Sequence, residues 1–172
     1  DMHTPGPGAR AKLVARSTKM RAVVATLDRI SRSDLPVVIH GETGTGKDMV
    51  ARIVHEESAR REQPFVVVSC VAIPEALLEL ELFGARRGAF TDLKSDRCGM
   101  LAAADSGTLL IDEIAEASPA LQAKLLRVLS AGSYRRLGDD SEHSVDVRFL
   151  FTTSRDLHLE TQGGRFRSDL LH

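Results

Sequence analysis

Gly41-Glu42-Thr43-Gly44-Thr45-Gly46-Lys47-Asp48 lies between the apolar run Pro36–His40 and a stretch in which Met49, Val50, Ile53 and Val54 recur at helical spacing to about Ala59. It fits the pattern G-x-x-x-x-G-K, with an additional glycine at 44. In the context strand, glycine-rich turn, helix, this pattern cradles phosphate. Glycines let successive backbone N–H groups turn inward, the helix N-terminus adds partial positive charge, and Lys47 reaches the β and γ oxygens. A bare glycine-rich turn opening a helix is the bland alternative, and the flanking strand and helix argue against it. A Ser or Thr commonly follows the lysine to ligate Mg²⁺. Here Asp48 follows, a hard oxygen ligand able to hold the ion through water.

Outward from this loop the chain alternates apolar runs with helical patterns. On the N-terminal side Met20, Val23, Val24, Leu27 and Ile30 fall at helical spacing until Ser33-Asp34-Leu35-Pro36. On the other side Phe65–Cys70 leads into Ile73–Leu82, Thr108–Ile111 into Ala120–Leu129, and Val145–Ser154 into a short helix near Asp156. Strands buried on both faces produce such runs, so the expected class is α/β with a parallel sheet. Gly84–Cys98 and Gly132–Ser144, polar and glycine-bearing, break the alternation and read as insertions projecting from the sheet. Residues 1–12, with Thr4-Pro5-Gly6-Pro7-Gly8, are expected to be a tail or linker, and 13–172 the folded unit.

Composition narrows the function classes. The 172 residues carry 23 Lys+Arg and 24 Asp+Glu, a net charge of −1 that argues against a whole-domain DNA-binding surface. The seven basic side chains among residues 1–35, against three acidic, are the uneven part of that balance. Aromatics amount to 4%, which leaves few base-stacking platforms. No apolar stretch approaches the ~20 residues that cross a bilayer. Cys70 and Cys98 are too few for a disulfide scaffold, so reduced thiols and a cytoplasmic setting are expected. His55-Glu56-Glu57 lacks a second histidine four residues on and is not the zinc-protease pattern.

A second acidic site follows from the sheet. Thr108-Leu109-Leu110-Ile111 ends in Asp112-Glu113, 65 residues after Lys47. Strand C-terminal ends gather where ligands bind in a parallel sheet, which places Asp112 to hold Mg²⁺ and Glu113 to polarise an attacking water. Alone, such a pair often only caps the next helix; beside the phosphate loop it points to nucleotide hydrolysis.

Six motifs now stand in one order: Gly41–Asp48; Ala72-Ile73-Pro74-Glu75 with Glu81-Leu82-Phe83-Gly84; Gly88-Ala89-Phe90-Thr91; Asp105-Ser106-Gly107-Thr108 with Asp112-Glu113-Ile114; Leu125-Leu126-Arg127-Val128-Leu129; and Phe166-Arg167-Ser168-Asp169-Leu170. In order and spacing the chain resembles the AAA+ domain of bacterial sigma-54-dependent transcription activators, over about residues 13–172. An acidic residue after the lysine, as at Asp48, is usual there.

The resemblance implies a P-loop AAA+ three-layer sandwich, cut before its helical lid, that binds ATP with Mg²⁺. It also implies hydrolysis within a bacterial ring oligomer, usually a hexamer, to remodel closed complexes of sigma-54 RNA polymerase. The chain taken alone is expected to hydrolyse weakly, and DNA contact is expected only from domains it lacks. Gly41, Glu42, Thr43, Gly44, Thr45, Gly46, Lys47 and Asp48 would cradle nucleotide. Asp112 and Asp48 would serve the metal, and Glu113 the water. Ser69 stands where the family has an asparagine restraining that glutamate; a strand-end serine without a partner in the site is the other reading. Thr153 aligns with the first γ-phosphate sensor residue and Ser154 with the second. Arg167 aligns with an arginine finger acting on the neighbouring subunit, against the commoner fate of a solvated arginine. Gly88, Ala89, Phe90 and Thr91 match the loop that contacts the polymerase, in which Phe90 could instead be a core residue. The family's next Gly-Ala is Asp92-Leu93 here. That substitution keeps open a nucleotide-dependent regulatory switch that does not activate sigma-54 polymerase.

Overall fold

Valine, isoleucine, leucine and phenylalanine concentrate in four runs, and each becomes a parallel strand. The computed structural model describes residues 18–90 and 93–171. Its strands are β1 (Val37–His40), β2 (Phe65–Ser69), β3 (Thr108–Asp112) and, after a short hairpin of β4 (Ser133–Tyr134) with β5 (His143–Ser144), β6 (Arg148–Thr153). The order across the sheet is β1-β6-β3-β2, all parallel. The register sets Ser69 opposite Asp112 and His40 opposite Thr153, so the C-terminal ends form one rim.

Side-chain alternation builds a core on each face. Leu109, Ile111, Phe149 and Phe151 enter one cluster with α3 (Glu75–Phe83) and α5 (Pro119–Ala131). Leu110 and Leu150, pointing the other way, meet α1 (Thr18–Ser31) and α2 (Lys47–Glu56). These central residues are at most 5% exposed, and burying each large side chain is worth about 1.5–3 kcal/mol. The expected three-layer α/β arrangement is therefore present.

Local signals set the helix ends. The Oγ of Ser118 accepts the Leu121 N–H at 3.3 Å, Pro119 occupies the first turn, and Gly132 closes α5 with its N–H on the Val128 carbonyl. Helix α2 stops at Glu56, short of Ala59, where the N–H and the hydroxyl of Ser58 both turn back onto the His55 carbonyl, three residues earlier. Three short α-helices, α4 (Met100–Ala103), α6 (Leu157–Gln162) and α7 (Ser168–Leu171), and a 3-10 turn over Ile114–Glu116 complete the elements of the described residues. Of these, α6 was expected near Asp156, whose carboxylate caps it.

Arg148, 1% exposed, opens β6 and donates to the Ile30 and Ser31 carbonyls at 2.7 and 3.3 Å. A cation on the last carbonyls of α1, of which that of Ile30 also accepts the Ser33 N–H at 3.0 Å, offsets the helix dipole and ties that helix to the sheet. The Arg148 Nε and Ser31 Oγ are buried without a protein partner.

Both expected insertions project from the sheet and are joined at their roots. Ala85 bridges Arg97 and also Leu137, and Arg86 approaches Asp139 at 3.9 Å. Gly138 lies so near Ala89 that an added Cβ would stand 2.6 Å from the alanine methyl, a contact only glycine permits. Phe90 is 49% exposed, a displayed residue and not a core one. Thr91 and Asp92 lie outside the described residues, as does the 1–12 tail.

Candidate functional site

A cavity of about 630 Å³ opens at the rim of strand C-termini, lined by the glycine loop, Lys47, Asp48, Ser69, Asp112, Glu113 and Ser154. The loop takes its shape from its own backbone: the Thr45 N–H and hydroxyl both donate to the Glu42 carbonyl, at 3.3 and 2.7 Å. Gly46 turns into α2 with φ 89°, a left-handed conformation that costs glycine little. The Gly41 N–H donates to the Thr153 carbonyl at 3.2 Å, fastening the loop to β6.

Lys47 is 9% exposed, and its ammonium folds across the loop. Its Nζ lies 2.8 Å from the Gly41 carbonyl, 3.3 Å from that of Glu42 and 3.3 Å from Glu113 Oε1. Three acceptors match its three protons. Asp48 is exposed in the first turn of α2, at the positive end of the helix dipole.

The two carboxylates that end β3 are held differently. Asp112 Oδ1 accepts the Thr152 hydroxyl at 2.5 Å and Oδ2 accepts that of Ser69 at 3.2 Å. Glu113 has φ 54°, uncommon for a side chain with a Cβ, and its N–H donates to Thr152 Oγ1 at 3.0 Å. That turn sends the glutamate toward β6, where Oε2 accepts the Ser154 N–H at 2.8 Å and hydroxyl at 2.9 Å. Burial raises the Glu113 pKa, but the Ser154 hydrogen bonds and Lys47 outweigh it, leaving the carboxyl below its usual range. Cys70, buried behind the pair, has its thiol pushed up to about 12 by burial and then by Asp112, Glu116 and Glu113. It stays protonated and inert.

Some expected residues stand elsewhere. Ser69 reaches Asp112, not Glu113. Thr153 is fully buried and exchanges hydrogen bonds with the Arg155 backbone; Thr152 and Ser154 are the ones that touch the acidic pair. Arg167 lies outside the cavity in a two-pronged pair with Asp169 at 2.9 and 2.7 Å. Its backbone is set by Gln122, fully buried, whose amide accepts the Arg167 N–H at 2.9 Å and donates to the Arg165 carbonyl at 3.0 Å. A lone glutamine beside Leu121 and Leu125 in an apolar helix was the available signal for that anchor.

The donor set suits a nucleotide-bound cation. Among the described residues no cluster of three or more metal-ligating side chains exists, so no all-protein cage is present. A carboxylate oriented by two hydroxyls at the floor of a phosphate loop fits an ion shared with phosphate oxygens.

The sequence profile of the sigma-54 interaction domain matches residues 13–172. The chain belongs to the sigma-54 interaction domain family. It is 50% identical over 163 residues to the anaerobic nitric oxide reductase transcription regulator NorR of Klebsiella pneumoniae, covering 95% of this chain and 32% of that protein. The NorR of Shigella sonnei is 49% identical over the same length. The crystal structure of NtrX from Brucella abortus superposes with a TM-score of 0.85 at 34% identity, over 95% of this chain and 37% of that one. NtrX structures in complex with ATP and with ADP superpose at 0.85 and 0.84, each at 34% identity over 93% of this chain and 34% and 35% of those chains. The P-loop NTPase domain of an E. coli sigma-54 activator, at 17% identity and a TM-score of 0.57, shares the fold over 86% of this chain and 96% of its own. The chain thus spans about a third of the length of the curated NorR regulators it matches.

Proposed function

We propose that this chain is the ATP-binding and ATP-hydrolysing core of a bacterial, cytoplasmic sigma-54-dependent regulator. The observation carrying that reading is the convergence of Lys47, Glu113 and Asp112 on one cavity, with Lys47 Nζ 3.3 Å from Glu113 Oε1. The ATP and ADP complexes of NtrX support the nucleotide class.

The roles follow from position. The N–H groups of Gly41 and Thr45 close the loop on Thr153 and Glu42, the other backbone N–H groups of Gly41–Gly46 serve the phosphates, and Lys47 exchanges its carbonyl and carboxylate acceptors for β and γ oxygens. Asp112, with Asp48 at the rim, would hold Mg²⁺, which supplies neutralisation of charge on the transferred phosphoryl group. Glu113 orients the attacking water. Arg167 lies outside its own cavity, as a finger for a neighbouring subunit of a ring, a hexamer by family likeness, would have to. Gly88, Ala89, Phe90 and Thr91 form the polymerase-contacting loop, with the exposed Phe90 ring as its apolar tip. Residues 13–172 form the motor, with 1–12 as a linker to it.

In the full-length protein Glu113→Gln is expected to keep nucleotide binding and lose at least a hundredfold in turnover, on the scale of a removed general base. Retention of full turnover would overturn the assignment. Asp92-Leu93 in place of Gly-Ala supports a second reading, a nucleotide switch that does not open promoters. Open-complex formation on a sigma-54 promoter that appears only after Asp92→Gly with Leu93→Ala would favour the switch. Activity without that change would favour the remodelling motor.

A further inference from the structure

The segment that carries Arg167 is held firmly by its backbone and loosely at its side chain. Glu160, from α6, takes the Arg165 and Phe166 N–H groups on its carbonyl at 3.0 and 3.2 Å, and its carboxylate takes the Arg165 guanidinium at 2.5 Å. Gln122, from α5, takes the Arg167 N–H on Oε1 at 2.9 Å and donates from Nε2 to the carbonyls of Arg165 at 3.0 Å and Ala117 at 2.8 Å. Phe166, between the two residues so held, is buried in the larger core cluster. The Arg167 side chain, 42% exposed, meets Asp169, itself 47% exposed. We propose that Gln122 is the positioning residue for Arg167: its buried amide fixes the backbone from which the guanidinium reaches a neighbouring subunit's nucleotide. The proposal rests on the finger reading above and adds the group that sets the finger.

For filling space beside Leu121 and Leu125, a leucine or methionine would serve as well. An amide taken out of water there is costly unless each of its polar atoms is paired. Gln122 is fully buried, and both its oxygen and its nitrogen are paired with backbone groups. Those partners admit one orientation, since exchanging oxygen and nitrogen would set the oxygen against two carbonyls and the NH₂ against an N–H. An amide so fixed, bonded on both sides of Phe166, imposes its orientation on the Arg167 backbone. Ala117 closes the 3-10 turn that follows Glu113, so the same amide also ties the finger segment to the rigid sheet. The Arg167–Asp169 pair, by contrast, lies at the surface where water and salt screen it, and phosphate oxygens draw the guanidinium off at little cost. An arginine acting across a subunit boundary needs a rigid base of this kind, because a misplacement of about 1 Å can cost roughly a hundredfold in rate.

Gln122→Met keeps the length of the side chain and removes all three hydrogen bonds. In the full-length protein kcat is expected to fall about tenfold, part of the roughly thousandfold that an arginine finger supplies, with affinity for a fluorescent ATP analogue kept within about twofold. Complementation then separates positioning from folding. Gln122→Met is co-assembled with an excess of Glu113→Gln, whose own sites are idle but whose fingers are intact. Turnover per Gln122→Met subunit is expected to rise at least about threefold, and to stay low when Arg167→Ala is the partner. Unchanged kcat, or a deficit that Glu113→Gln subunits do not relieve, would overturn the proposal. If Gln122→Met does not fold, the Arg167 N–H of the unaltered protein decides. Bonded to Gln122, it is expected to exchange with deuterium at least about a hundredfold more slowly than in an unstructured chain, and fast exchange would sink the proposal. Full turnover in Arg167→Ala would remove the finger reading itself, whereas slow Arg167→Ala beside fully active Gln122→Met would remove this proposal alone.

Discussion

Both ends of the parallel sheet carry polar side chains and use them in opposite ways. At the N-terminal ends of the strands, Arg60 donates to Asp34, to the Asp146 carboxylate and carbonyl, and to the Gly107 carbonyl, while buried Arg148 grips the end of α1. Those donors are spent on the protein itself. At the C-terminal ends, Lys47, Asp112 and Glu113 face a cavity of about 630 Å³, and their partners are backbone carbonyls, hydroxyls and one another. Polar groups closed on themselves hold elements together, whereas polar groups left facing space are available to a ligand.

The contrast can be broken most sharply at Lys47. Lys47→Ala removes the only ammonium that lines the cavity among the described residues, and nucleotide affinity is expected to fall at least a hundredfold, about 3 kcal/mol, measured by titration with a fluorescent ATP analogue. Its Tm should move by only a few degrees. A variant that instead unfolds would show the C-terminal rim to be structural as well. The reverse pattern is expected at Arg148. Arg148→Met keeps the apolar stem but strands the Ser31 carbonyl and leaves that of Ile30 with the Ser33 N–H alone, and denaturant unfolding should report a loss of about 2–3 kcal/mol. ATP affinity of the folded fraction should be unchanged.

These two positions also differ in how visible they are without coordinates. Lys47 is legible because glycine spacing, a preceding strand and a following helix jointly demand a phosphate loop. The Asp112-Glu113 pair is legible because an apolar strand ends in it. Arg148 stands in plain view in the apolar run Val145–Thr153, yet nothing local tells that its partner is a helix end 117 residues away. The polar triplet Thr152-Thr153-Ser154 poses a related problem. Neighbouring side chains on a strand point to opposite faces, so Thr152 and Thr153 cannot both turn to Asp112, and the choice depends on the register with β3. Alignment favoured Thr153, whereas the side chains in contact with the acids belong to Thr152 and Ser154. The four strands and long helices were readable from periodicity, while α4 and α7, four residues each, are too short to show one.

The smallest expected effect lies in the exposed part of the N-terminal clasp. The hydrogen bond from Arg60 lowers the Asp34 carboxyl below its ordinary 3.8, with burial opposing and the Arg60 charge assisting. The folded state therefore binds that proton less tightly than the unfolded chain does. The stabilisation is fully present above the ordinary value and is lost as pH falls through the lowered one. Asp34 is two-thirds exposed, so solvent and salt screen the pair, and Asp34→Asn should cost about 0.5 kcal/mol near neutral pH. Denaturant unfolding of parent and variant should converge in acid, where Asp34 is neutral in both states, and also in high salt. A difference that persists in both conditions would mean that Asp34 acts through the α1–β1 turn, where the Ser33 hydroxyl already accepts the Leu35 N–H, and not through its charge. The Asp34 arm of the clasp would then count as a backbone device, and the contrast between the two ends of the sheet would rest on Arg148 and on the Arg60 contacts with Gly107 and Asp146.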